Sequence, residues 1–179
     1  MIHRFEPTHY HTTLGSHEPV LHVVDGDTLV TTTVDARGQD HTGETVTERG
    51  NPQTGPFYID GAEPGDTLAV HLDSLVPNRH QGFTSPLVAP SVLDPDYVIQ
   101  MTRDLPQQDY SCFWEMDLEN RTATLTTPED TSIGRLTLPL APMLGCFGVA
   151  PPRGQAISTA TSYTNGGNMD YRGFVEGVT

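Results

Sequence analysis

No window of a dozen residues in this chain keeps a helical apolar period free of proline or glycine. Proline removes a helical donor and clashes with the preceding turn, and glycine costs backbone entropy, so long helices have almost nowhere to form. Between the Gly, Pro, Asn and Asp clusters lie short runs rich in Val, Leu, Thr and Ile, at 20–24, 28–34, 57–59, 67–75, 121–126 and 135–138. Runs of that kind bounded by turn formers predict strands. A mainly β fold of sandwich or barrel type is therefore expected, in preference to a helical bundle or a doubly wound sheet, with one short helix near 95–101. The segments Val24-Asp-Gly-Asp-Thr-Leu-Val and Glu63-Pro-Gly-Asp-Thr-Leu-Ala-Val echo each other. Each sets a Gly-Asp turn before an alternating run, which makes Asp27 and Asp66 turn formers rather than catalysts.

The texture changes near Leu138, where Pro139-Leu-Ala-Pro-Met-Leu-Gly-Cys-Phe-Gly-Val-Ala-Pro-Pro is apolar and dense in Gly and Pro. This predicts a β-rich domain over 1–138 and a second lobe or crossing segment over 139–179. The closing Phe174-Val-Glu-Gly-Val-Thr reads as a turn and the beginning of a strand with nothing to run into, so a truncated chain is expected.

Hydrophobic residues make up only 35%, but the 17 Gly and 15 Pro account for that deficit as turns, and a folded protein is expected. Nine Arg against 23 Asp and Glu leave a net charge of −14. Such a surface repels nucleic acid and anionic membranes, so neither is an expected partner. Nothing at the start reads as a leader and no run could span a bilayer, which makes a cytoplasmic protein the expectation. Cys112 and Cys146 have no metal-ligand or redox spacing and read as buried thiols.

The run Asn51-Pro-Gln-Thr-Gly-Pro-Phe-Tyr-Ile-Asp-Gly-Ala-Glu-Pro-Gly-Asp-Thr-Leu-Ala-Val resembles the most characteristic stretch of the acetamidase/formamidase family. Further pieces occur in that family's order: His17-Glu-Pro-Val-Leu, Asp25-Gly-Asp and Val34-Asp-Ala before it, Gly148-Val-Ala-Pro and Gly166-Gly-Asn-Met-Asp after it. The resemblance spans nearly the whole chain. It implies an incomplete acetamidase/formamidase-type β fold with little helix, and hydrolysis of formamide, acetamide or similar short amides to the acid and ammonia. The family's later segment, close to Gly-Asp-x-His-Ala-x-Gln-Gly-Asp-Gly-Glu, has no counterpart here. A homo-oligomer or a complementing carboxy-terminal segment is expected to complete the site. A β-rich binding or assembly module without catalysis is the alternative.

An amide needs an activated nucleophile, a stabiliser for the tetrahedral oxyanion and an acid for the departing amine. All nine basic residues are Arg, so amidase mechanisms that use a lysine fail within this chain. No Gly-x-Ser-x-Gly elbow is present, and both cysteines sit among apolar neighbours. Metal-assisted hydrolysis remains, with zinc or calcium as the divalent ion. The expected ligands are Asp35, at the end of a strand, and Asn168 with Asp170, which alternation would aim the same way beside Gly166 and Gly167. His9 and His11 form a further possible chelate on one strand face. Asn51 and Thr54 suit hydrogen bonding of the small amide or its oxyanion, and Glu63 suits a general acid or base.

Overall fold

A computed structural model of the protein describes residues 1–85, 93–104, 112–126 and 132–179. The chain forms two compact units, Met1–Val76 with Pro142–Thr179, and Pro77–Ala141.

The first unit consists of four small sheets. Strand β1 (Ile2–Phe5) runs parallel to β4 (Thr28–Thr31), and β3 (Leu21–Val23) parallel to β5 (Phe57–Ile59). Strand β2 (Thr13–Leu14) pairs antiparallel with β11 (Ile157–Ser158). The fourth sheet places β13 (Gly166–Asn168) between β10 (Cys146–Gly148) and β12 (Ser162–Tyr163). Glycine is required at its centre: a Cβ on Gly167, where φ is +108°, would come within 2.1 Å of the Thr161 carbonyl oxygen. The paired glycines thus bring backbone against backbone.

The second unit is an antiparallel meander in the order β6 (Gln81–Thr84), β7 (Cys112–Asp117), β8 (Thr122–Thr126) and β9 (Arg135–Pro139). The helix α1 (Pro95–Asp104) lies between β6 and β7 in sequence. Asp117 closes the β7–β8 hairpin by accepting bonds from the Asn120 amide (2.9 Å) and side chain (2.7 Å).

The architecture is thus mainly β with one short helix. Most strands are only two to four residues long and interrupted by turns, and among the described residues they form small sheets and no closed barrel. Among the described residues no aliphatic or aromatic side chain is buried; Thr159 and Asn165 are, together with several glycines and prolines. Aromatic rings make further contacts: half-buried Phe5 meets half-buried Phe57 edge-on at 5.5 Å, and half-buried Phe174 touches both Phe147 (4.9 Å) and the exposed Tyr171 (5.0 Å).

The two echoing turns are built alike. The Asp27 carboxylate accepts the Val24 amide at 3.1 Å, and the Asp66 carboxylate accepts the Glu63 amide at 2.8 Å. Asp27 also gathers the Met1 amine and His3 Nε2, which hold its carboxyl well below the usual range and tie β1 beside β4.

The run at 67–75 departs from expectation, since it forms no strand. Alternating residues make a strand only where a neighbour supplies a ladder, and here Leu72 alone finds backbone partners, at Val178 and Gly177. The step foreseen near 139 lies three residues before the chain re-enters the first unit at Pro142, so 142–179 group with 1–76 through the pairing of β11 with β2. No helix of the described residues is long and apolar enough to cross a membrane.

Candidate functional site

Three stretches remote in sequence converge on Thr159, which has no exposed surface. Its amide and its hydroxyl both donate to the Thr12 carbonyl, at 3.0 and 2.9 Å, and the hydroxyl also reaches the Gly50 carbonyl at 2.8 Å. In return the Thr159 carbonyl accepts bonds from Asn51 Nδ2 at 3.2 Å and from the Cys146 thiol at 3.4 Å. The one hydroxyl proton is shared between carbonyls of two loops, with the Thr159 amide also serving Thr12, so the buried side chain ties both loops together.

Asn51 occupies left-handed backbone (φ 57°), which asparagine tolerates better than most residues. Two residues on, Gln53 exchanges backbone bonds with His11 at 3.1 and 2.8 Å, and its side-chain amide donates to the Asn51 carbonyl at 2.8 Å. Cys146 stands opposite Asn168 in the antiparallel pair of β10 with β13. Asp170, also left-handed (φ 46°), donates its amide to the Gly145 carbonyl at 2.9 Å. Its exposed carboxylate lies over Gly145, where an added Cβ would come within 2.8 Å of Oδ1.

Burial and the Asp170 charge both push the Cys146 thiol pKa up, so it remains a neutral donor rather than an activated nucleophile. On the other side of Gln53, the His11 ring stacks on His17 with centroids 3.7 Å apart and planes 12° apart. Thr13 Oγ1 holds His17 Nε2 at 2.7 Å. Burial, then the neighbouring His17 and His9, lowers the His11 pKa, which favours a neutral imidazole.

Of the residues singled out from the sequence, Asn51, Asn168 and Asp170 therefore belong to one connected cluster. The other three sit in turns of their own. Asp35 Oδ1 accepts the amides of Arg37 (2.8 Å) and Gln39 (3.0 Å). Thr54 donates its hydroxyl to the Thr32 carbonyl at 2.8 Å. Glu63 is exposed at the start of the Asp66 turn. His9 is exposed beside Thr8 (3.2 Å), while His11 stacks on His17. Among the described residues no three His, Cys, Asp or Glu side chains group closely enough to hold a metal ion, so these donors do not by themselves fit zinc or calcium.

The fold has a counterpart among solved structures. A crystal structure of an acetamidase from Bacillus halodurans matches with a TM-score of 0.67 and 24% sequence identity, covering 97% of this chain and 54% of that one. The chain has a partial acetamidase-like fold. It spans about half the length of the acetamidase structure it matches. No protein-family model and no curated protein sequence matches it.

On this acetamidase-like frame, the site rests on residues that the sequence offered only as background. Thr159 and Cys146 carry no motif, Cys146 read as a buried thiol, and His11 was paired with His9 rather than with His17. Gln53 and His17 were within reach, since they lie inside the Asn51-Pro-Gln run and the His17-Glu-Pro-Val-Leu piece that carry the resemblance. In the second unit an open depression of about 570 Å³ lies over the polar face of the meander, lined by Glu115, Asp117, Thr124, Arg135 and Thr137 among others.

Proposed function

We propose that this chain supplies part of a site that hydrolyses short aliphatic amides, formamide or acetamide, to the carboxylic acid and ammonia. One observation carries the reading. On an acetamidase-like fold, the Asn51 loop and the Asp170 loop, more than a hundred residues apart in sequence, are fastened to each other through Thr159 and Cys146. Asp170 brings an exposed carboxylate suited to taking a proton from an attacking water, and Asn51 brings an amide suited to holding a substrate carbonyl. Cys146 serves as a neutral strut rather than a nucleophile. A zinc or calcium ion acting here would draw donors from beyond the described residues, in a complementing part of the site.

The test is ammonia release from formamide and acetamide by purified protein, before and after chelation and metal replenishment, with total metal measured on the same sample. Turnover that falls by about two orders of magnitude in Asp170→Asn supports the reading. A second reading, a β-rich binding or assembly module without catalysis, is favoured by the lack of any three-donor group among the described residues. Inactivity of a metal-loaded protein that also contains the complementing part would select the second reading over the first.

A further inference from the structure

The stretch Asp66-Thr-Leu-Ala-Val-His-Leu-Asp-Ser-Leu-Val has the alternation of a half-buried strand, and the structure leaves it without a ladder. Leu72 donates to the Val178 carbonyl at 2.9 Å and accepts from the Gly177 amide at 2.7 Å, while His71 Nδ1 meets Thr179 Oγ1 at 2.7 Å. No backbone hydrogen bond is formed by residues 67–71 with the described residues. The apolar side chains of the same stretch are open to solvent: Leu68 is 41% exposed, Val70 57% and Val76 73%. Free backbone groups beside exposed β-branched and aliphatic side chains are what strand addition uses, the backbone supplying affinity and the alternate side chains specificity.

We infer that residues 67–76 are a docking edge for a β-strand from the part of the acetamidase-like fold that this chain does not span. The inference rests on the preceding reading for the identity of the partner. Two observations choose this occupant over a second copy. Nearly half of the matched acetamidase has no counterpart here, its matched share being 54%. The edge is also bordered by Glu63, Asp66, Asp73 and Glu176, the last bonded to the Leu75 amide at 3.1 Å, in a chain of net charge −14. A second copy would bring those carboxylates against their own images, whereas a strand with alternating apolar residues flanked by Lys or Arg complements them.

The experiment is amide hydrogen exchange on the full chain with synthetic peptides of about twelve residues, tiled across the portion of the Bacillus halodurans acetamidase without a counterpart here. One peptide or an overlapping pair is expected to slow exchange at residues 67–71 by at least about tenfold, and Val70→Pro is expected to abolish the effect. Protection only outside 67–76, or no protection by any peptide, overturns the inference. Protection of 67–76 that grows with the concentration of this chain alone assigns the edge to a second copy and also overturns it. The unaltered chain decides each outcome, so a Val70→Pro variant that failed to fold would leave the test intact. None of these readouts depends on amidase activity: a protecting peptide leaves the docking edge standing whether or not the completed, metal-loaded protein later proves inactive, a result that would count against the proposed function alone.

Discussion

Replacing Thr159 by valine isolates the bond that fastens the site. Valine keeps the volume of threonine, so no cavity opens in the only fully buried side chain among the described residues. It removes the hydroxyl that donates to Thr12 and Gly50. Thr12 keeps its bond from the Thr159 amide at 3.0 Å, whereas the half-buried Gly50 carbonyl loses its donor. An acceptor left in that position costs about 2 kcal/mol, roughly thirtyfold in the folding equilibrium. For a chain of this length that corresponds to a fall of about 4–8 °C in Tm. Thr159→Ser keeps the hydroxyl and loses one methyl, worth about 1 kcal/mol. The assay is urea unfolding followed by circular dichroism, in which the valine variant should shift the midpoint further than serine with the slope unchanged. A valine variant at the wild-type midpoint, or a serine variant below the valine one, would refute the claim that the hydroxyl bonds matter more than packing at this position.

The remaining predictions concern the same cluster. Because the folded pKa of His11 lies below its ordinary 6.5, the unfolded chain binds more protons between the two values; stability should be full above about 6.5 and decline as pH falls from there toward the folded value. His17→Ala should raise the His11 pKa toward the ordinary value in an NMR titration, and an unchanged pKa would remove the stacked ring as a cause. Cys146 should react with iodoacetamide at pH 8 more slowly than glutathione, and Asp170→Asn should speed it by removing one of the groups that raise its pKa. Equal rates in the two proteins would show that the Asp170 charge does not reach the thiol. Gly145→Ala should push the Asp170 carboxylate aside, since the new methyl would stand 2.8 Å from Oδ1, and should lower any amidase turnover about tenfold with little change in Tm.

The β class, the helix near 95 and the two Gly-Asp turns were legible because each depends on residues close together in sequence. Proline and glycine set where strands stop, and an Asp three residues past an amide can always close a turn. Asn51, Asn168 and Asp170, singled out from the loops that bear them, fall in one connected cluster. Thr159 was not, because a threonine between serine and alanine looks the same in a solvated loop as in a hub holding Thr12 and Gly50. Nor could spacing show that His11 lies opposite Gln53, 42 positions on. The run at 67–75 misled for the opposite reason: alternation reports what a segment can pair with, and a ladder depends on what is within reach.

The discontinuity of the first unit sets a schedule for synthesis. Thr13 and Leu14 pair with residues 157 and 158, and Thr159 closes on Thr12 and Gly50. The second unit, Pro77–Ala141, is made between those halves, and its strands β7, β8 and β9 pair in sequence order. At about 5–20 residues per second, the amino-terminal half waits roughly 4–16 s after residue 76 before its strand partner is even translated. During that interval β2 has no strand partner and Asn51 Nδ2 lacks the Thr159 carbonyl it bonds, although β1–β4, β3–β5 and the His11–Gln53 bridge can already form. A nascent chain halted before residue 157 should hold the β1–β4 and β3–β5 pairs without the closure of β2 on β11. Protease sensitivity around Thr12–Leu14 and Gly50 should then fall once synthesis passes Thr159.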